Sequence, residues 1–360
     1  MFLTAARWPS ASGPTVLIYS TTTATRHAWS YSNGDPMTTS AQPASQDSHT
    51  PSVYLTAEAR HDPGPSRWLA PEGATSLAVM LGSGKPEPTP FRNGPGGAVV
   101  VDDVPYLIDA GEGIWRGIAK AAMSHEGRLA QALAPRLLTK IFLTHLHSDH
   151  TIGLPSLMFL PWTCGKDQPL DVYGPIGTEN LVEGILEAYR GDIVERVKGP
   201  EGKEDQGWRA TAHEILEPGV VYRDGRVEIE AFLRPHGGFE QSFGYRFRSA
   251  DRTIVWAGDG AGGRSFANAA VGADLLFSDV CATAYTTELT PWRSEAEGNA
   301  ELFHIESRHL GRLAARADVG TLVLHHEQNY SEPFNPNALV EEVSETFRGP
   351  VISARDGDVF

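Results

Sequence analysis

The sequence predicts an α/β protein (α+β by some schemes) with sandwich-like layering, and three observations support this class. Short apolar runs typical of buried strands occur in both halves of the chain, and segments with helical spacing of apolar residues lie between them. Hydrophobic residues make up 41% and charged residues 21% of the 360 residues, as in a globular protein with a sizeable core. No apolar run approaches the roughly 20 residues of a membrane-spanning helix, so we expect no membrane partner.

The first part of the chain does not predict a packed structure. Residues 1–50 contain 17 serines and threonines and only four charged side chains, too little apolar surface to offset the entropy of ordering. We therefore expect a disordered or low-complexity extension over residues 1–70 and one folded domain over residues 71–360. The absence of acidic residues before Asp35 resembles a transit segment, and an upstream start codon with Met37 as the true start explains it equally well. Unless the extension is a transit segment, we expect a cytoplasmic protein.

The predicted elements of the folded domain follow in chain order. The strands share short apolar or alternating patterns bounded by turn residues, and Asp102–Asp103 supply the turn of the first hairpin. These strands are Ser76–Leu81, Ala98–Val101, Tyr106–Ile108, Ile141–Thr144, Val227–Leu233, Phe243–Phe247, Thr253–Trp256, Leu275–Phe277 and Thr321–Leu324. The helices share apolar residues three and four apart, such as Leu181, Ile185 and Ala188. They are Ile114–Met123, Gly177–Tyr189, a helix around Arg308–Ala315 and one near Asn337–Phe347.

The charge balance and the cysteine count narrow the class of function. There are 30 Lys and Arg against 45 Asp and Glu, a net charge of −15, of which residues 1–66 carry only −1. This acidic balance argues against a dedicated nucleic-acid binder, although it does not exclude a local basic patch. Because Cys164 and Cys281 are the only cysteines, the sequence predicts neither a disulfide framework nor a cysteine-based metal cage. The 13 histidines are the more informative residues.

The strongest chemical signal directly follows the strand that ends at Thr144 and reads His145-Leu-His147-Ser-Asp149-His150. Residues two apart on an extended segment point to the same side, so His145, His147 and Asp149 can converge. His150 follows as the chain turns into a helix and can reach the same place from a second direction. Imidazole nitrogen and carboxylate oxygen suit zinc, iron or manganese. A lone histidine here would be an ordinary core or loop residue, but four candidate ligands so close together predict a metal site.

This HxHxDH pattern resembles the signature of the metallo-β-lactamase superfamily. Two earlier stretches, Leu81-Gly-Ser-Gly-Lys-Pro86 and Tyr106-Leu-Ile-Asp-Ala-Gly-Glu-Gly113, are similar to the start of its ribonuclease Z and arylsulfatase-like branch. The resemblance extends from about Ser76 to Phe360. It implies a four-layered αβ/βα sandwich with metal ions at one edge, and further ligands from later loops.

By resemblance, three later residues complete a two-metal site. His236 follows an alternating strand, Asp259 follows the strand that contains Trp256, and His326 ends the stretch Thr321-Leu-Val-Leu-His-His326, with His325 at a position that is usually threonine. Each of these residues taken alone also fits an ordinary satisfied polar group. The resemblance assigns one ion to His145, His147 and His236, a second ion to Asp149, His150 and His326, and Asp259 to both. The implied cofactors are two Zn²⁺, with Mn²⁺ or Fe as alternatives, and two close metals lower the pKa of a shared water.

The resemblance makes Asp149 and His304 the candidate catalytic residues. His304 occupies the place of a family histidine that acts as general acid in a His-x-Thr motif, a role that suits an imidazole of near-neutral pKa. Here Glu306 replaces the threonine, and the alternative is a helix-start histidine without chemistry. Asp109 is either a residue that orients a ligand through hydrogen bonds or an ordinary turn carboxylate.

The reaction predicted from these residues is hydrolysis of a phosphodiester, sulfate ester or related small ester by a metal-dependent enzyme. The alternative is a ribonuclease Z-type tRNA 3′-processing endonuclease, and three features oppose it. Only 13 residues separate Tyr245 from Asp259, too few for a tRNA-gripping arm; Gly260 replaces the usual threonine; and the folded part is acidic. A third possibility is a metal-binding protein without catalytic activity. The expected partner is a small-molecule ester, with tRNA disfavoured. We also expect a monomer or a homodimer.

Aromatic residues near the motifs are candidates for the substrate cleft. They are Trp162, beside Cys164 in the segment 161–166, and Tyr285 and Trp292 in the irregular stretch before His304. Their rings could stack on an aryl group or a base, and plain packing explains them equally well.

Overall fold

The computed structural model describes residues 56–283, 303–329 and 331–360 of the chain. In these ranges six strands form one sheet in sequential order, antiparallel from β1 to β3 and parallel from β3 to β6. Its strands are β1 (Ser76–Gly82), β2 (Gly96–Val101), β3 (Val104–Ile108), β4 (Lys140–Phe142), β5 (Leu170–Gly174) and β6 (Ala210–Glu214).

The described part of the second half forms a seven-stranded sheet, also in sequential order. Its pairs are antiparallel from β7 to β10 and parallel from β10 to β13. The strands are β7 (Gly219–Arg223), β8 (Glu228–Leu233), β9 (Phe243–Arg248), β10 (Thr253–Trp256), β11 (Leu275–Cys281), β12 (Thr321–Gln328) and β13 (Val351–Ser353).

Alternation along the strands divides the apolar side chains between separate cores. In β1, Val79 and Leu81 pack toward a helical layer, whereas Ala78 and Met80 pack toward the other sheet. Because successive side chains of a strand point to opposite faces, a strand buried on both faces is apolar throughout. The same division in β10, where Trp256 lies between the sheets and Val255 faces helices, gives four layers. The αβ/βα sandwich that the family resemblance implies is therefore confirmed.

The helices cover the outer faces of the two sheets. On the first sheet pack side chains of α1 (Ile114–Met123), α3 (Leu154–Thr163), α4 (Thr178–Ala188) and α5 (Arg190–Lys198), and the single-turn helix α2 (Ser148–Thr151) precedes α3. On the second sheet pack α6 (Arg264–Ala270), α7 (Ser307–Arg316) and α8 (Ala338–Ser344). Among the described residues, no helix has the length and apolar character needed to cross a membrane.

Some elements differ from the sequence prediction. Helix α3 was not predicted because Leu154, Leu157 and Trp162 are all buried, so its apolar residues surround the helix instead of forming one stripe. In α4 the buried positions are Thr178 and Val182, whereas Ala188 is exposed, so the predicted apolar face is wrong at that residue. The strands β5 to β7 and helices α5 and α6 were also not predicted.

Part of the predicted extension contacts the C-terminus. The backbone N–H and guanidinium of Arg67 both donate to the buried Asp358 carboxylate. The next residues continue this contact, since the N–H groups of Leu69 and Ala70 donate to the Val359 carbonyl at 2.6 and 3.1 Å. Residues 67–70 thus pack against the last residues of the chain.

Candidate metal centre

The loop after β4 carries four of the predicted site residues. Strand β4 ends at Phe142, His147 is the N-cap of α2, and the first turn of this helix carries Asp149 and His150. The segment between β4 and α2 directs His145 and His147 to one place, and the ring nitrogens Nε2 of His145 and Nδ1 of His147 lie 2.9 Å apart. The short helix then turns Asp149 and His150 back toward the same point.

Three residues from the second sheet meet this loop. His236 follows β8, Asp259 follows β10, and His326 lies on β12. In β12 the pairing with β11 shifts between Leu324 and Glu327, so two residues face one residue of the neighbouring strand. This is a β-bulge, and His326 within it has a left-handed φ of 48°. The bulge directs His326 into the cluster, whereas His325 packs against Trp256 in the core.

The candidate ligands form two groups of three. The ring nitrogens of His145, His147 and His236 lie within 4.8 Å of one another, as do the ligand atoms of Asp149, His150 and His326. Asp259 Oδ2 lies 3.2 Å from His150 Nε2 and 3.1 Å from His326 Nε2 in the second group, and a carboxylate oxygen of Asp259 is also within 4.8 Å of a ring nitrogen of His145 in the first group. The arrangement therefore offers two three-residue sites with one shared carboxylate.

Hydrogen bonds behind the candidate ligands fix the imidazole orientations. Asp109 accepts from the Thr144 N–H at 2.7 Å and lies 2.9 Å from His150 Nδ1. The Phe303 carbonyl lies 2.7 Å from His236 Nδ1. Because each Nδ1 is occupied, Nε2 of His150 and of His236 faces the cluster. Asp109 thus contacts a candidate ligand directly and is not simply a turn carboxylate.

Burial and charge act in opposite directions on the pKa values of these histidines. Burial lowers the pKa of His145 well below its ordinary value and lowers that of His236 to about 4. Burial also disfavours the charged form of His150, but the charges of Asp259 and Asp109 outweigh it and raise this pKa well above the ordinary value. Burial likewise opposes ionisation of Asp259, yet His326 and His150 hold its pKa well below the usual range. The carboxylate charges therefore favour a cation among these side chains.

His304 lies beside this cluster, just before α7. Its ring stacks on His326 with centroids 5.3 Å apart, and one ring nitrogen is within 4.8 Å of ligand atoms of Asp259 and His326. Its Nδ1 lies 2.8 Å from Asp279 Oδ2. Glu306, which replaces the threonine of the family motif, is the N-cap of α7 and accepts from the N–H groups of Arg308 and His309.

Asp279 and Arg234 are site residues that the sequence analysis missed. Asp279 lies on β11 and accepts from Arg234, which also donates to the carbonyls of Gly258 and Gly260 at 2.6 and 2.8 Å. Both side chains are fully buried. A Cβ on Gly260 would lie 2.6 Å from Arg234 Cγ, so this packing accounts for glycine where the family usually has threonine. The polar pair Ser278-Asp279 after the apolar run Leu275–Phe277 was the signal that could have revealed the carboxylate.

The predicted aromatic positions have different environments. Trp162 is 1% exposed and packs in the core under the first sheet, where its indole N–H donates to the Glu204 carbonyl. Tyr285 and Trp292 lie outside the described residues. Phe239 instead lies at the cluster, with its ring centroid 4.6 Å from that of His147. Cys164 is exposed.

Comparison with known proteins places this geometry in a family. Residues 105–326 match the model of the β-lactamase superfamily domain. Ribonuclease Z of Mycobacterium bovis (strain BCG / Pasteur 1173P2) is 30% identical over 251 residues, which cover 69% of this chain and 84% of that protein.

Solved structures show the same fold at lower identity. The metallo-β-lactamase-fold protein YhfI from Bacillus subtilis aligns with a TM-score of 0.58 at 19% identity, over 79% of this chain and 98% of that one. The short form of human tRNase Z aligns with a TM-score of 0.57 at 22% identity, again over 79% and 98%. Together with the sequence matches, these alignments support the family resemblance, whose fold implies binding of divalent metal. The chain belongs to the metallo-β-lactamase superfamily, in its ribonuclease Z branch, and is a metal-dependent hydrolase.

Proposed function

We propose that this hydrolase is a ribonuclease Z-type endonuclease, which cleaves a phosphodiester at the 3′ end of a precursor tRNA. The observation that carries the proposal is the pair of three-residue ligand groups joined by Asp259, with the His304 imidazole beside them. The curated relatives named ribonuclease Z support this substrate over the small ester that the sequence analysis preferred, because the match covers 84% of such a relative.

The donor set fits two divalent ions. We assign one ion to His145, His147 and His236, the other to Asp149, His150 and His326, and Asp259 to both. Nitrogen and carboxylate donors without thiolate suit zinc, with manganese or iron as alternatives. Asp259 Oδ1 is buried and has no hydrogen-bond partner among the described residues, as expected of an atom reserved for a cation. Such ions, when bound, lower the pKa of water and neutralise charge on a phosphoryl group.

Residues of the chain position the ligands and supply a proton. Asp109 holds His150, and the Phe303 carbonyl holds His236, so that both rings keep Nε2 toward the other candidate ligands. His304 is the general acid: with Nδ1 bonded to Asp279, its Nε2 can carry the proton that passes to the leaving oxygen. The buried Arg234 guanidinium holds Asp279 in place and lowers the pKa of that carboxyl against the effect of burial. Asp279 is thus a positioning residue for His304.

A second candidate is hydrolysis of a small phosphodiester or sulfate ester. The observation that favours it is the connection between β9 and β10. Arg248 pairs with Thr253, so that only residues 249–252 join the two strands and no arm projects between them. An enzyme without this arm has less surface for a folded RNA.

The test compares two substrates and two neighbouring histidines. The zinc-loaded protein is assayed on a precursor tRNA with a 3′ extension and on bis(p-nitrophenyl) phosphate, and its metal content is measured. We expect cleavage of the RNA at its 3′ end and two metal ions per chain. His326→Asn should lose one ion and at least about a hundredfold in kcat on both substrates. His325→Leu, the matched control beside the site, should keep both ions.

Two outcomes would contradict the proposal. Turnover of the small diester without cleavage of the RNA would leave the second candidate in its place. Equal metal loss in the His325 and His326 variants would contradict the ligand assignment.

A further inference from the structure

A basic groove runs between α6 and α7 on the outer layer of the second sheet. It has a volume of about 590 Å³ and lies between the side chains of Arg264 and Asn268 on one side and His309, Arg312 and Arg316 on the other. The three arginines and His309 are exposed. Its floor is formed by small and apolar residues, among them Ala267, Leu313 and Ala317.

The charge of this groove is opposite to that of the whole protein. The net charge of the chain is −15, yet none of the residues that line the groove in the described part of the structure is acidic. Most ion-paired arginines elsewhere, such as Arg196 and Arg209, lie about 3 Å from a carboxylate. By contrast, no carboxylate of the described residues lies within 4.0 Å of Arg264 or Arg316.

The third arginine is only weakly paired. Arg312 lies 4.0 Å from Glu306 Oε2, but that carboxylate already accepts from the N–H groups of Arg308 and His309 as the cap of α7. Arg312 and Arg316 are one helical turn apart, so their guanidinium groups are neighbours along the groove. Three guanidinium groups without a strong partner among the described residues can bind an external anion.

One end of the groove, at Gly262 and Gly263, lies a few residues along the chain from the candidate ligand Asp259. Residues 260–263 link Asp259 to Arg264, and five extended residues span no more than about 18 Å. The link passes close to α7, since a Cβ on Gly262 would lie 2.7 Å from the His309 ring. The first residue of this link, Gly260, is held in place because its N–H donates to Asp279 Oδ2 at 3.1 Å. A chain whose scissile bond lies at Asp259 can therefore continue into the groove.

We infer that this groove binds the phosphate backbone of the RNA substrate, with Arg264, Arg312 and Arg316 as the phosphate ligands. The inference rests on the proposed ribonuclease function and gives it a substrate-binding surface. Guanidinium groups pair with phosphate in a bidentate manner, and contacts of this kind are independent of base sequence. The surface supplies local positive charge that the acidic composition conceals.

The test is a triple variant with Arg264→Ala, Arg312→Ala and Arg316→Ala in the full-length, metal-loaded protein. We expect the ratio of kcat/KM for precursor tRNA to kcat/KM for bis(p-nitrophenyl) phosphate to fall at least about tenfold, through KM. The loss of three phosphate contacts should also make the fall of log(kcat/KM) for RNA with log[salt] less steep, by about 2 in the magnitude of its slope. Circular dichroism verifies that the variant is folded.

The matched control removes three other exposed arginines, Arg136, Arg226 and Arg348, and so changes the net charge equally. It should leave the ratio and the salt slope unchanged. An equal fall in the control would show an effect of net charge and overturn the inference, as would an unchanged ratio in the groove variant.

Failure of the proposed function is distinguishable from failure of the groove. If the parent protein turns over the small diester but cleaves no RNA, the proposed function fails, and the groove is then judged by fluorescence anisotropy with a labelled single-stranded RNA. Binding that weakens at least about tenfold in the groove variant alone would support the inference. Equal binding by the parent and the groove variant would overturn it.

Discussion

His304 is held at one ring nitrogen and available at the other, which makes it suited to transfer a proton. Asp279 Oδ2 lies 2.8 Å from Nδ1, and His304 is only 8% exposed, so that few orientations of the ring are open to it. A proton donor matters most when the leaving group is a strong base, as the alkoxide of a ribose is. A nitrophenolate is a weak base and leaves without help.

The first prediction follows from this difference. His304→Ala should lower kcat for precursor tRNA by about 10²- to 10⁴-fold, the usual contribution of a general acid, and kcat for bis(p-nitrophenyl) phosphate by less than about tenfold. Steady-state kinetics on both substrates test this prediction, with the metal content determined for each sample. An equal loss on both substrates, or loss of metal from the variant, would instead make His304 a ligand or a structural residue.

The predictability of individual site residues depends on sequence distance. The loop from His145 to His150 was predicted from spacing alone, because alternation on an extended strand is a local property. The later candidates were named only by family resemblance. The contact of Asp279 with His304 was missed because the two residues are 25 positions apart and come together only where β11 lies beside the start of α7.

At the scale of the elements, the carboxylate of Asp251 joins the two sheets near Ser76, the first residue of β1. Asp251, in the turn between β9 and β10, accepts from the N–H groups of Thr75 and Ser76 at 3.0 and 3.2 Å and from the Ser249 hydroxyl. Partial burial raises the pKa of Asp251, but hydrogen bonds from Ser76, Thr75 and Ser249 outweigh it and lower the pKa to about 2.

The second prediction concerns acid stability. The folded pKa of Asp251 lies below its unfolded value of 3.8, so its contribution is complete above pH 3.8 and is lost as the pH falls toward about 2. Because Asp251 is exposed and water screens its interactions, Asp251→Asn should lower the free energy of unfolding by only about 1 kcal/mol at pH 7, and by progressively less below about pH 4. Urea unfolding at several pH values measures this, with the exposed turn variant Asp103→Asn as control. A difference that is the same at pH 3 and pH 7 would disagree with the prediction.

The elements that carry the site were less predictable than the residues on them. The sequence predicts a strand that ends at Leu324, whereas β12 continues to Gln328 with a bulge at His325 and His326. A bulge is set by pairing with β11, some 45 residues earlier, and by the left-handed backbone of His326, neither of which periodicity reveals. The largely apolar α3 is a similar case, since only tertiary packing distinguishes it from a buried strand.

At the scale of the molecule, net charge and local charge have different meanings. The acidic charge of the folded part argues against RNA as a partner, but a sum over the chain does not say where the charges lie. The arginines of the groove come from α6 and α7, which are separated by more than 30 residues in sequence. Their juxtaposition depends on the packing of both helices on the second sheet.

The last prediction concerns where the catalytic domain begins. The compact unit that contains the site extends from Thr50 to Phe360, and we propose that residues 67–70 belong to it. Deletion of residues 1–49 should leave the thermal midpoint and the activity close to those of the full chain.

Deletion of residues 1–70 should destabilise the domain, because it removes Arg67 and leaves the fully buried Asp358 carboxylate without its cation. Breaking a buried pair costs about 3–5 kcal/mol, although the partly exposed Arg67 places this case at the lower end. Differential scanning calorimetry of both deletions, beside Arg67→Ala in the full chain, tests the boundary. If both deletions have the same midpoint as the full chain, the domain begins after residue 70. If the point variant reproduces most of the loss, the Arg67–Asp358 contact accounts for it.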